Sequence, residues 1–219
     1  MTLIELTNTP DDQRDTKWEN QFFKALTEGF VELISDAPVN GPDGWPYMMV
    51  RTEGNNGAAT ATLVKPEPTQ KILHWLSTRG IGLVVNPEKP YPDFVFSYGM
   101  VWHFMKTGLF FRSDARPNTS VELSPNQAIH SGPPTEEYLP SGPRSILKEF
   151  LRDQGLLAPK ILLISTDRLN YDLAFSLESL KNPPASEHEG IAEAISWFLP
   201  PHYSILLVSE KGLPPFLQL

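Results

Sequence analysis

The chain has 219 residues, enough for one large domain or two small ones, and its 40% apolar and 11% aromatic content supports a folded core. It has no cysteine, which excludes disulfides, thiolate nucleophiles and Cys-ligated metal centres and fits a reducing cytoplasm. The formal charge is −8, from 26 acidic and 18 basic residues with no two Lys or Arg adjacent; a field of that sign repels phosphate backbones and argues against nucleic acid as a partner.

Residues 15–35 read as the first helix, because Trp18, Phe22, Leu26, Phe30 and Leu33 recur at spacings of four, four, four and three. Asp15 or Thr16 serves as its N-cap. Two short strands are expected at 47–52 and 59–64, joined as a hairpin through EGNNGA, where Asn56 and Gly57 tolerate positive φ. Residues 66–79 read as a helix with its prolines at the start, stopped by Gly80 as a left-handed cap. The run 82–85 has the composition of a buried strand, and Asn86-Pro87 ends it because proline donates nothing to a ladder. A strand at 93–97 and a helix at 98–106, with Val101, Trp102 and Met105 at helical spacing, complete this part.

Residues 113–145 change texture, with six prolines and few aliphatic residues; TSVEL at 119–123 is a candidate strand within them. The last third is clearer. Residues 143–154 form a helix, KILLIS (160–165) a near-continuous apolar strand, and YDLAFSLE (171–178) an alternating, half-buried strand after the short turn TDRLN. Ser186 and Glu189 match the S-x-x-E capping box of a helix that turns Ile191, Ile195, Phe198 and Leu199 inward; YSILLVS (203–209) is the final strand. The expectation is an α+β protein of two small α/β sandwich domains. The N-terminal domain covers 1–115. The C-terminal domain covers 116–219, is ferredoxin-like in the order βαββαβ, and includes a Pro-rich connection at about 124–143.

The opening residues have no basic stretch leading into an apolar one, and no window reaches ~18 uninterrupted apolar residues, so neither a secretion signal nor a membrane span is expected. The histidines are His74, His103, His130, His188 and His202; no two lie within four residues, so helical zinc motifs are absent. Glu187-His188-Glu189 resembles a ligand triplet, but acidic residues in a first helical turn complement the macrodipole. There is no G-x-S-x-G elbow, and neither GPDG (41–44) nor GNNG (54–57) is a phosphate loop. No catalytic residue, metal ligand or cofactor is assigned.

Two residues and a tail stand as binding candidates. His103, between Trp102 and Phe104, has the type and setting of a general base in a pocket, or of a core or edge histidine; Asp93 follows a Pro-rich turn, where it faces a cleft or is ordinary turn chemistry before a strand. The ending KGLPPFLQL places Leu213, Phe216 and Leu217 beyond the last strand; such an apolar stretch docks on its own domain, on the other domain, or in a dimer or partner contact.

The segment HWLSTRGIGLVVNPEKPYPDFVFS resembles the N-terminal domain of SseB-like proteins (the enhanced serine sensitivity protein B family), with a short helix, a strand ending in Asn-Pro, and a Pro-containing turn after the amphipathic helix at 18–34. The succession PRSILKEFL, KILLIS, YDLAFSLE, helix and strand is similar to that family's C-terminal domain. The resemblance implies a soluble bacterial two-domain α/β protein, tied to amino-acid metabolism or to protein–protein contact, with no catalytic residues to transfer. With no recognisable catalytic constellation, an acidic surface and an apolar terminus, the leading expectation is a non-enzymatic binding or regulatory protein in the cytoplasm, working through a protein partner or a second copy of itself, away from nucleic acid and membrane. Two alternatives stay open: a hydrolase or transferase with a dispersed His/Asp/Glu site at the interdomain cleft, and an acidic immunity or antitoxin-like protein that meets a basic partner.

Overall fold

A computed structural model describes residues 1–52, 66–112 and 129–219. The expected strands at 59–64 and 119–123 lie outside the described residues. The chain divides into two compact units, Met1–Met105 and Lys106–Leu219, where the sequence pattern places a boundary near 115. The protein is α+β, with one mixed sheet in each unit. Among the described residues, no helix is long and apolar enough to cross a membrane.

The first unit opens with α1 (Leu3–Thr7), which periodicity alone leaves unassigned. Its signal is the motif Thr2-x-x-Glu5: the Thr2 hydroxyl accepts from the Glu5 amide and the Glu5 carboxylate accepts from the Thr2 amide, a complete capping box. The next helix, α2 (Thr16–Glu28), is capped by Asp15, whose carboxylate accepts from the Trp18 amide at 2.8 Å. It buries Trp18, Phe22 and Leu26, the first three residues of the expected stripe.

The expected helix to residue 35 stops seven residues early. Gly29 is extended, and Phe30–Leu33 become strand β1, in which Val31 is buried and Phe30 is exposed. FVEL fits period two as well as period 3.6, and pairing partners decide between them. Those partners are β3 (Pro46–Thr52) and β4 (Glu67–Pro68); the two-residue strand β2 (Val39–Asn40) also pairs with β3.

Glu67 and Pro68 thus precede α3 (Thr69–Ser77) instead of belonging to it, and Pro68 sits on an edge strand where its missing N–H does no harm. Gly80 (φ +69°) provides the expected left-handed stop. Then β5 (Gly82–Val85) runs between β3, to which it is parallel, and β6 (Phe94–Phe96), and all four of its residues are buried. The unit's last helix is α4 (Tyr98–Thr107). The sheet order is β4-β1-β3-β5-β6. Aromatic rings tie α2 to β6: Trp18 stacks on Phe22 at 4.9 Å, and Phe23 meets Phe94 edge-on at 4.9 Å.

The first strand of the second unit among the described residues is β7 (His130–Gly132), inside the expected Pro-rich connection, followed by α5 (Ser141–Asp153), β8 (Lys160–Ser165), β9 (Asp172–Ser176), α6 (His188–Ser196), β10 (Ser204–Val208) and β11 (Leu217–Gln218). The order is β10-β9-β8-β11, with β7 also pairing with β8. The ferredoxin-like order is not confirmed. That plan sets the last strand antiparallel beside the first; here β10 lies parallel beside β9, from Ser204↔Asp172 to Val208↔Ser176. The physical cause is the α6 crossover, which returns the chain parallel to β9 at the neighbouring edge.

Two local expectations change in this unit. The capping box at Ser186 does not form, because the chain enters α6 through a tight turn at Ala185–Glu187 after two prolines; Ser186 lies inside that turn and not at the cap. Strand β9 is not half-buried either: Leu173, Ala174, Phe175 and Ser176 are all buried. The alternation of YDLAFSLE is real, but both of its faces are covered. Leu173 and Phe175 share one face with Leu163 and Ile161; on the other, Ala174 and Leu162 pack with Ile164 and Phe216.

Candidate functional site

The stretch 86–93 connects β5 to β6, and its ends build a buried polar node. Asn86 adopts φ +55°, a conformation that asparagine tolerates better than most residues. Fully buried, it accepts from the Thr52 amide (2.8 Å) through Oδ1 and donates to Asp93 Oδ2 (2.5 Å) through Nδ2. The Asp93 side chain has no exposure. Its Oδ1 accepts from Arg14 Nη2 (2.7 Å) and Lys89 Nζ (2.9 Å), and Lys89 lies 2.7 Å from Oδ2.

Both cations reach further. Lys89 donates to the Thr7 carbonyl (2.6 Å) and Arg14 to the Thr9 carbonyl (3.0 Å), while the Arg14 guanidinium lies over the Trp18 ring at 4.6 Å. One carboxylate thus fastens the N-terminal segment, the β5–β6 turn and the end of β3 together. A cleft of about 370 Å³ opens beside it, lined by Arg14, Asp15, Trp18, Glu19, Asp93 and Phe94. Burial raises the Glu19 carboxyl above its ordinary value. At the cleft, Asp93 is already engaged by Arg14, Lys89 and Asn86, so it acts as a structural anion and not as a free general base.

Of the remaining candidates, His103 is a buried residue of the first unit, and the tail residues pack on the second. His103 is buried on α4 with its ring edge-on to Trp102 at 6.0 Å. In the second unit, Phe216 is 7% exposed and packs on Leu162, Ile164 and Ala174, with Leu213 at the edge of that cluster; Leu217 pairs with Ile161 in the ladder and keeps 43% of its surface exposed. The tail therefore covers the sheet face of its own unit.

The segment TDRLN, by its sequence a plain turn, carries more structure than its composition suggests. Ser165 ends β8 fully buried, and its Oγ accepts from the Arg168 amide at 2.8 Å. The Asp167 carboxylate accepts from the amides of Leu169 and Asn170 (2.8 Å each) and from Asn170 Nδ2 (2.6 Å). These bonds, the Asn170 amide first, hold the Asp167 carboxyl well below the usual aspartate range. Arg168 is fixed at φ +63°, with Nε donating to the His130 ring (3.0 Å to Nε2), which β7 places beside Ser165.

The product is a hairpin tip with a defined backbone that leaves Leu169 83% exposed and Tyr171 41% exposed. The legible signal was Asp167-x-x-Asn170 bracketing a leucine: side-chain caps around an apolar residue in a turn. No family model, curated protein or solved structure matches the chain.

Proposed function

We propose that the chain is a non-enzymatic binding or regulatory protein that acts through protein contacts, with the hairpin tip 165–171 as its contact element. The observation that supports this most directly is Leu169, the most exposed large apolar side chain described, held on a backbone braced by Ser165 and Asp167. Binding residues concentrate on loops carried by a rigid scaffold, and a tip already ordered loses little freedom on association. Burying one leucine contributes about 1.5–3 kcal/mol, and Arg168 beside it suits an apolar pocket with an acidic rim. The resemblance of 74–97 to SseB-like proteins accords with a bacterial, cytoplasmic protein of this kind.

The test is affinity capture from a bacterial lysate with the full chain as bait, in three forms: wild type, Leu169→Asp, and Leu157→Asp as a control at another exposed leucine (76%). A species held by wild type and by the control, and weakened about tenfold or more by Leu169→Asp with unchanged circular dichroism, is the expected outcome. Equal retention by all three baits refutes the assignment.

A further inference from the structure

We propose that the strap formed by residues 213–219 is exchangeable, and that the groove it fills receives the same strap from a second copy of this chain, giving a reciprocal two-fold dimer. This inference rests on different residues from the hairpin tip.

The groove is one face of the second sheet, lined by Leu162, Ile164 and Ala174 with Leu206 and Val208 at its side. Its occupant defines the chemistry it accepts: a Leu-Pro-Pro-Phe segment that seats Phe216 in the cluster, pairs Leu217 and Gln218 with Ile161 and Lys160, and ends with the Leu219 amide donating to the Pro159 carbonyl at 2.9 Å. A second copy carries the identical segment, so every one of these contacts can be reproduced between chains without a new surface.

The strap joins the sheet through a short root, where the Leu213 amide donates back to the Glu210 carbonyl at 3.2 Å. Its root is clasped: the Glu178 carboxylate accepts from Ser209 Oγ (2.5 Å) and the Glu210 amide (3.0 Å), while the Glu210 carboxylate accepts from Ser176 Oγ (2.6 Å) and pairs with Lys160 (3.1 Å). Immediately beyond comes Gly212 at φ +79°, then Leu213, Pro214 and Pro215. Pro214 disfavours the helical region at Leu213, and the two prolines keep the next stretch stiff, so rotation concentrates at Gly212. Past the hinge, seven residues reach roughly 23 Å when extended, far enough to enter a neighbouring groove. Within one chain the strap's effective concentration is about millimolar, so exchange is expected as protein concentration approaches that range.

The chain has no native cysteine, which makes a crosslinking test direct. Gln218 and Lys160 face each other in the β11–β8 ladder. Two full-length single variants, Lys160→Cys and Gln218→Cys, are mixed, concentrated, diluted and oxidised, then run on a non-reducing gel. The expected result is a covalent mixed dimer several-fold above that from either variant alone, growing with the concentration at mixing. The double variant, oxidised when dilute, should close its disulfide within one chain and stay monomeric at every concentration. A mixed dimer no more abundant than the single-variant controls, with the double variant closing normally, overturns exchange. Failure of the double variant to close overturns the seating of the strap on which the proposal rests.

Discussion

Replacing Asp93 by alanine strands two cations at once. The Asp93 side chain is fully buried, and its partners Arg14 and Lys89 are only 14% and 22% exposed, so water compensates little for the missing anion. Removing one partner of a buried ion pair costs roughly 3–5 kcal/mol. The lower end applies here, because Arg14 keeps Asp11 at 3.1 Å and the Thr9 carbonyl, and Lys89 keeps the Thr7 carbonyl. Asn86 also loses its acceptor and the hold on its positive-φ backbone.

A loss of about 3 kcal/mol is a large part of the ~5–15 kcal/mol that stabilises a domain, and corresponds to a roughly hundredfold rise in the opened population. Native-state hydrogen exchange reads it at the Thr52 amide, which donates to Asn86 Oδ1 in the same node. Asp93→Asn, which keeps the shape but not the charge, should fall between wild type and Asp93→Ala. Thr52 exchange changed by less than about tenfold in Asp93→Ala refutes the claim that the node holds the first unit together.

Two further outcomes are expected. Gly82→Ala places a methyl 2.6 Å from the Phe96 carbonyl oxygen and from the Tyr47 ring, so it should destabilise the first unit by about 1–3 kcal/mol in urea unfolding; an unchanged midpoint contradicts the close packing of β3, β5 and β6. Because the folded state depresses the Asp167 carboxyl, its support of the hairpin tip is complete above the ordinary aspartate value and is lost as pH falls below it. The Leu169 and Asn170 amides should therefore keep their neutral-pH NMR shifts down to pH 4 and change only in stronger acid, whereas Asp167→Asn should abolish that transition. A wild-type transition at the ordinary aspartate pH refutes the capped-tip geometry.

Local chemistry decided a good part of this protein. The Trp18–Phe22–Leu26 stripe, the Asp15 cap, the Gly80 stop, the buried GLVV strand and KILLIS each follow from spacing or composition, because each is a short-range preference that the fold did not oppose. Where two periods fitted equally, as at FVEL, the sheet chose through Thr52, Arg51 and Val50 across the ladder. The same S/T-x-x-E motif capped α1 at Thr2 but failed at Ser186, because the residues before it set whether the serine reaches the cap position.

The candidate sites divide along the same line. Asp93 was visible as a residue, yet its role came from Arg14, 79 positions earlier in the chain, a pairing that no local pattern encodes. Both faces of β9 are covered because Phe216 returns from 40 residues later, so alternation alone could not show that the polar-looking side was buried. Sequence spacing reports which side chains share a face; only the assembled chain decides what lies against that face.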